Sequence, residues 1–216
     1  MPHWKSWRIC LIAPIKRLIT GAESWGSRVK KTTLYEERDT QKRQEYLAEI
    51  KDIDSTKIVY VDESGIEDTL RRHYARATRG TPVITDIKGK KSQRISIIAG
   101  LLGKKLIAPL VFEGYTNTSV FAQWVQSCLL PELPPGHTVV IDNASFHRAP
   151  LIRTLIESAG CTLIYLPAYS PDFNDIEPWW AVLKTKVTEA IPKTDTLMQA
   201  IQNAFQSMNY HKKIHQ

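Results

Sequence analysis

Disulfide chemistry is the first thing this sequence lacks. Its three cysteines, Cys10, Cys128 and Cys161, are scattered and form no Cys-x-x-Cys pair. That argues against a zinc site or a disulfide framework and fits a reducing, cytoplasmic setting. Nor is any apolar run long enough to span a bilayer, which takes about 20 residues, so no membrane partner is expected. The N-terminal "RICLIAPIKRLI" is short, is cut by Lys16-Arg17 and has no small-residue cleavage site. Internal repeats and low-complexity tracts are absent as well.

What is present is an ordinary globular composition with a basic bias. Hydrophobic residues make up 43% of the 216, enough for a real core, and imply one domain with a short appendage. The net charge of +7 and a pI near 9.3 point to a polyanionic partner, nucleic acid first.

The pattern along the chain is that of a mixed α/β fold. Residues 1–26 carry no convincing period. "KKTTLYEERDTQKRQEYLAEI" is charged and helical with a weak stripe of Tyr46, Leu47 and Ile50, read as a solvated helix or linker. "KIVYVDES" (57–64) is a buried strand ending in acid. Residues 81–114 read as β-hairpins, β-branched runs separated by Gly-Lys turns. Helical spacing then appears at 117–133, with Thr118 or Ser119 as its cap. "HTVVIDNAS" is a second apolar strand ending in acid, "APLIRTLIESAG" a short helix and "CTLIYLP" a third core strand. Helices from about 177 and over 195–210 finish the chain. The expected architecture is an antiparallel front half followed by strands alternating with helices.

Three acids fall at the ends of core elements: Asp62 after "IVYV", Asp142 after "VVI", and Glu177 where a helix starts at Pro178. Each has a bland explanation. Aspartate is a common turn residue, and a carboxylate at a helix start is favoured by the dipole. Together in a basic protein they suggest carboxylates converging at one sheet edge, where a divalent cation would relieve their repulsion. Hard oxygen ligands suit Mg²⁺ or Mn²⁺, and a pair of such ions serves phosphodiester chemistry. In the helix-forming stretch from about 177, Ile176, Trp179, Leu183 and Val187 read as the apolar stripe, with Glu177, Trp180 and Lys184 on a neighbouring face.

The strings "VYVDESG", "VVIDNASFHRA" and "LPAYSPDFNDIEPWWAVLK" resemble the three catalytic blocks of mariner-superfamily DDE transposases, in the bacterial insertion-sequence branch known as the IS six-thirty group. Thirty-four residues lie between Asp142 and Glu177, the separation typical of that superfamily's DDE members. The resemblance covers about residues 28–210. It implies a ribonuclease H-like fold and a catalytic, metal-binding triad of Asp62, Asp142 and Glu177 holding two Mg²⁺ or Mn²⁺ ions. The expected activity is cleavage and strand transfer at insertion-sequence ends. Expected partners are double-stranded DNA, as element ends and target, and a second copy in a homodimer, all in a bacterial nucleoid. Where the family usually has Asn-Pro-Ile-Glu, this chain has Asn174-Asp175-Ile176-Glu177, which adds a charge beside the metal site.

Around the triad, Asn143, His147, Arg148, Lys184, Lys90, Lys91 and Arg94 are candidate DNA contacts, while Glu63 and Asp175 read as solvated or capping residues, with tuning of the metals as the alternative. The expected division is a segment over residues 1–50 and a catalytic domain over 51–216. The first is a truncated N-terminal piece with a linker helix and no complete helix-turn-helix. The alternative to an active enzyme is a truncated remnant that binds DNA or dimerises without catalysis.

Overall fold

The computed structural model describes residues 35–67, 77–80, 82, 84 and 93–208, all within one compact unit that begins at Leu34. A five-stranded mixed sheet forms its centre, in the order β3-β2-β1-β4-β5. The strands are β1 (Ile58–Glu67), β2 (Arg94–Leu102), β3 (Lys105–Glu113), β4 (Thr138–Ile141) and β5 (Thr162–Tyr165). β1, β2 and β3 pair antiparallel, while β4 joins β1 and β5 joins β4 in parallel. Among the described residues, five α-helices flank it: α1 (Thr40–Ile50), α2 (Thr118–Trp124), α3 (Pro150–Ser158), α4 (Glu177–Ala190) and α5 (Leu197–Ser207). Among the described residues, no helix is long and apolar enough to cross a membrane.

Alternation along β1 sorts the layers. Val59 and Val61 face a core formed with Phe121, Trp124, Leu129, Ile152 and Ile156, so α2 and α3 cover that side. Ile66 faces the other side, where Ile176, Trp180, Leu183, Val187, Ile201 and Phe205 bring in α4 and α5. Ile58 and Val140 of that second face are covered by Tyr46 of α1. Each large apolar side chain buried this way contributes about 1.5–3 kcal/mol.

Several local expectations shift by a residue or more. The cap of α2 is Asn117, whose side chain accepts from the Val120 N–H at 3.0 Å, one position before Thr118. The stripe of α4 runs Ile176, Trp180, Leu183, Val187; Trp180 is 3% exposed and Trp179 only partly covered. Helix α1, capped by Asp39, is docked rather than solvated, with Tyr46 5% exposed and Leu47 turned outward. The strand expected at 57–64 runs on to Glu67, because β2 keeps pairing with it as far as Glu67 opposite Arg94.

The β2–β3 hairpin turns on Gly103 (φ +60°) and Lys104, as a two-residue hairpin with glycine first requires. The earlier half of the expected hairpin region lies mostly outside the described residues. On β3 a bulge places Ala108 and Pro109 opposite Ala99, between the pairs Ile98–Leu110 and Gly100–Ile107. Ala108 adopts φ +48°, and its carbonyl accepts from the buried Trp124 Nε1–H at 2.7 Å. Because β3 is an edge strand, Pro109 removes no hydrogen bond from a neighbour on its outer side.

Candidate active site

The parallel register sets the centre of the site. Tyr60 of β1 stands opposite Val140 of β4, so Asp62 and Asp142, each two residues further on, emerge side by side. β4 stops at Ile141 while β1 continues, which opens the sheet beside Asp62. Glu177 arrives from the loop after β5 as the first residue of α4, with Pro178 in the first turn. Asp62, Asp142 and Glu177 line one open cavity of about 480 Å³, together with Asn143, Tyr169 and Asn174.

Glu177 is exposed. Helix α4 has no side-chain cap; its entry is made by the Glu177 N–H donating to the Asn174 carbonyl at 3.1 Å. Among the described residues, no hydrogen bond or ion pair engages the Glu177 carboxylate, so capping does not occupy it.

Asp62 differs from Asp142 in its electrostatics. Burial first, then the charges of Glu63 and Glu177, push Asp62 up to about 7, against the opposing pull of the Trp180 and Glu63 N–H groups. The Trp180 Nε1–H donates to Asp62 Oδ2 at 2.9 Å. For Asp142, burial acts upward but the His147 hydrogen bond and the Ala144 N–H outweigh it and hold the carboxyl below its ordinary range. The Ala144 N–H donates to Asp142 Oδ1 at 2.9 Å, closing a local turn of the kind aspartate favours.

His147 corrects an expectation. Read as a candidate DNA contact, it is 0% exposed and cannot meet a phosphate. Its Nδ1 lies 2.6 Å from Asp142 Oδ1 and its Nε2 2.9 Å from Glu63 Oε1. Burial would lower its proton affinity, yet the two carboxylates overcome that and raise it to about 9. Glu63 is therefore neither a cap nor a free solvated acid. The link between residues 63 and 147 has no signature in local sequence.

The other candidate contacts separate by position. Asn143 lines the cavity and accepts from Arg148 Nε at 2.5 Å. Both also line an adjoining cleft of about 550 Å³ with Lys42 and Arg153. Lys184, half-buried on α4, lines neither. Arg94 lies 3.5 Å from Glu67 and over the Tyr115 ring, with its side chain partly exposed. Lys90 and Lys91 lie outside the described residues.

The loop delivering Glu177 is braced from α1. Arg43 donates to both oxygens of Asp172 at 3.0 and 2.6 Å and to Ser170 Oγ at 2.7 Å. Its guanidinium lies 3.9 Å from the Phe173 ring centre, and Tyr46 stacks on the same ring.

Among the described residues, no three His, Cys, Asp or Glu side chains are gathered tightly enough to hold a metal ion as they stand. The donor set nevertheless suits a hard divalent cation. The three carboxylates share one cavity, burial and the charges of Glu63 and Glu177 hold Asp62 against ionisation, and Asn174 Oδ1 is buried there without a hydrogen-bond partner.

A family model described as "DDE superfamily endonuclease" matches residues 57–198. No curated protein matches the chain. Among solved structures, a Mos1 transposase paired-end complex with the left transposon end is similar at a TM-score of 0.63 and 18% identity, covering 90% of this chain and 61% of that one. A Mos1 mariner paired-end complex with Mn gives 0.60 and 17%, over 86% and 60%. The corresponding complex with Mg gives 0.55 and 15%, over 90% and 69%. The chain thus spans about three-fifths of the first of these. At such identities the likeness speaks for the fold, which is ribonuclease H-like, as expected from the sequence.

Proposed function

The chain belongs to the DDE superfamily endonucleases, and from that premise we propose that it is the catalytic domain of a DNA transposase of the bacterial insertion-sequence kind. Its substrates would be the ends of a mobile element and a target duplex, in the bacterial nucleoid, worked on by a homodimer. The observation that carries this reading is the convergence of Asp62, Asp142 and Glu177 on one open cavity. Those three would hold two Mg²⁺ or Mn²⁺ ions. Bound there, the metals would activate the attacking oxygen and stabilise the leaving one.

The protein's own part is placement. β1 and β4 set the two aspartates side by side on a rigid sheet. Glu177 extends from the start of α4, where peptide dipoles favour its negative charge. The cavity is wide and open enough to admit a phosphodiester backbone. Asn143 and Arg148 continue polar surface from the cavity to the mouth of the adjoining cleft, where Lys42 and Arg153 stand among Glu45 and Glu49; a strand's phosphates would meet Arg148 there without base recognition.

The test is supercoiled plasmid with Mn²⁺, wild type beside Glu177→Gln, scored for nicking and for joining. Wild type should nick and join, and Glu177→Gln should fall by ~10²-fold or more. Near wild-type nicking by Glu177→Gln overturns the triad. Retention of plasmid without cutting by wild type would favour the remnant that binds DNA and does not cleave.

A further inference from the structure

Each aspartate of the site has one oxygen already taken from behind. Asp62 Oδ2 accepts from the indole N–H of Trp180, which is 3% exposed. Asp142 Oδ1 faces the Nδ1 of His147 and the Ala144 N–H. Both ring nitrogens of His147 meet carboxyl oxygens, Nδ1 at Asp142 and Nε2 at Glu63. At least one oxygen of each aspartate is thus engaged by a nitrogen donor from the side away from the cavity both aspartates line.

The surroundings of His147 are costly for a mere space-filler. Its ring sits between Phe121 and Phe146, with centroids 4.2 and 4.1 Å away. The Tyr165 hydroxyl fixes its carbonyl at 3.0 Å. An apolar residue would fill that box without burying two polar ring nitrogens between two acids. What an apolar residue could not do is fix the rotation of Asp142. Likewise a phenylalanine at 180 would fill the gap beside Ile176 and Leu183 but would release Asp62.

We propose that Trp180 and His147 are positioning residues of the cleavage site, each gripping one aspartate by a single oxygen so that the other is presented to a divalent cation. The proposal rests on the reading of Asp62, Asp142 and Glu177 as the metal-binding triad. Outer hydrogen bonds of this kind commonly set ligand orientation at metal sites.

The experiment measures Mn²⁺ binding to the metal-stripped full chain from the free-ion electron paramagnetic resonance signal, with no DNA and no turnover. Trp180→Phe keeps the ring and loses the donor. At position 147, asparagine carries an amide nitrogen near the place of Nδ1, facing Asp142; glutamine carries one near the place of Nε2, facing Glu63. Trp180→Phe and His147→Gln should each weaken Mn²⁺ binding by about 10-fold or more, while His147→Asn should stay within about threefold of wild type. Equal losses in the two His147 variants would overturn the role of His147. Wild-type affinity in Trp180→Phe would overturn that of Trp180.

Asp62→Asn runs alongside. If it loses Mn²⁺ while all three positioning variants bind normally, the triad stands and the positioning proposal falls. If Asp62→Asn binds as wild type does, the triad reading falls and takes the proposal with it. Melting curves check each fold. Should Trp180→Phe unfold, the benzothienyl analogue of tryptophan, with sulfur in place of N–H, removes the donor at unchanged shape.

Discussion

Replacing Asp62 with asparagine should make the metal-free protein more stable at alkaline pH and not at acid pH. The unfolded carboxyl releases its proton near 3.8 and the folded one near 7. Between those values the folded state binds more protons than the unfolded state, so stability falls as pH rises through that window. A pH unit corresponds to about 1.4 kcal/mol, which bounds the penalty at pH 8 near ~4 kcal/mol. Relaxation and water reaching the open cavity reduce it to ~1–2 kcal/mol, since such sites behave as though their effective dielectric constant were about 20. Asparagine is neutral throughout, and its carbonyl can still accept from Trp180. For a chain of this size the gain corresponds to a rise of ~3–6 °C in Tm.

The assay is thermal unfolding of wild type and Asp62→Asn in chelator at pH 4, 6 and 8. Titration of the His147–Asp142 pair is present in both proteins and largely cancels in the difference. The gap should be small at pH 4 and full at pH 8. Added Mn²⁺ should then raise wild type and leave the variant nearly unmoved. A variant that melts at or below wild type at pH 8, or a gap that is the same at pH 4 and pH 8, would refute the reasoning.

Arg43→Met removes the bidentate contact to Asp172, the bond to Ser170 and the cation over Phe173. Urea unfolding should show a loss of ~1–3 kcal/mol. A double-mutant cycle with Asp172→Ala should give a coupling of about 1 kcal/mol, and strictly additive effects would count against the brace. Gly100→Ala brings a Cβ to 3.0 Å from Val59 Cγ1, 3.1 Å from Ile107 Cγ1 and 3.3 Å from Leu129 Cδ1. Overpacking there should cost ~1–3 kcal/mol, and an unchanged Tm would show that the sheet yields more easily than its packing implies.

Most of the fold was legible because its elements carry their own signals. β4 and β5 are short continuous apolar runs, and α4 begins at an acid followed by proline. The position of Asp62 was legible only in part. "VYVDES" reads as a strand ending in acid, and only the long pairing with β2 shows the strand continuing past it. Trp179 and Trp180 stand i+3 and i+4 from Ile176, and local periodicity alone does not separate which of the two is buried. His147 with Glu63, and Arg43 with Asp172, are joined by folding across 84 and 129 residues. No spacing rule reaches that far, and each of these side chains taken singly looks like an ordinary surface group.

The bulge on β3 bears on how copies of this chain could associate. A sheet edge with a regular row of open N–H and C=O groups invites another strand to add on, and that route leads as readily to aggregates as to dimers. Here Pro109 has no N–H to offer, and the left-handed Ala108 bends the rim beside it. Trp124 meanwhile draws the Ala108 carbonyl inward. The rim is thereby chemically blunted along its middle. Strand addition by a second copy is thereby disfavoured at the β3 edge, which leaves β5 as the sheet edge with the regular backbone.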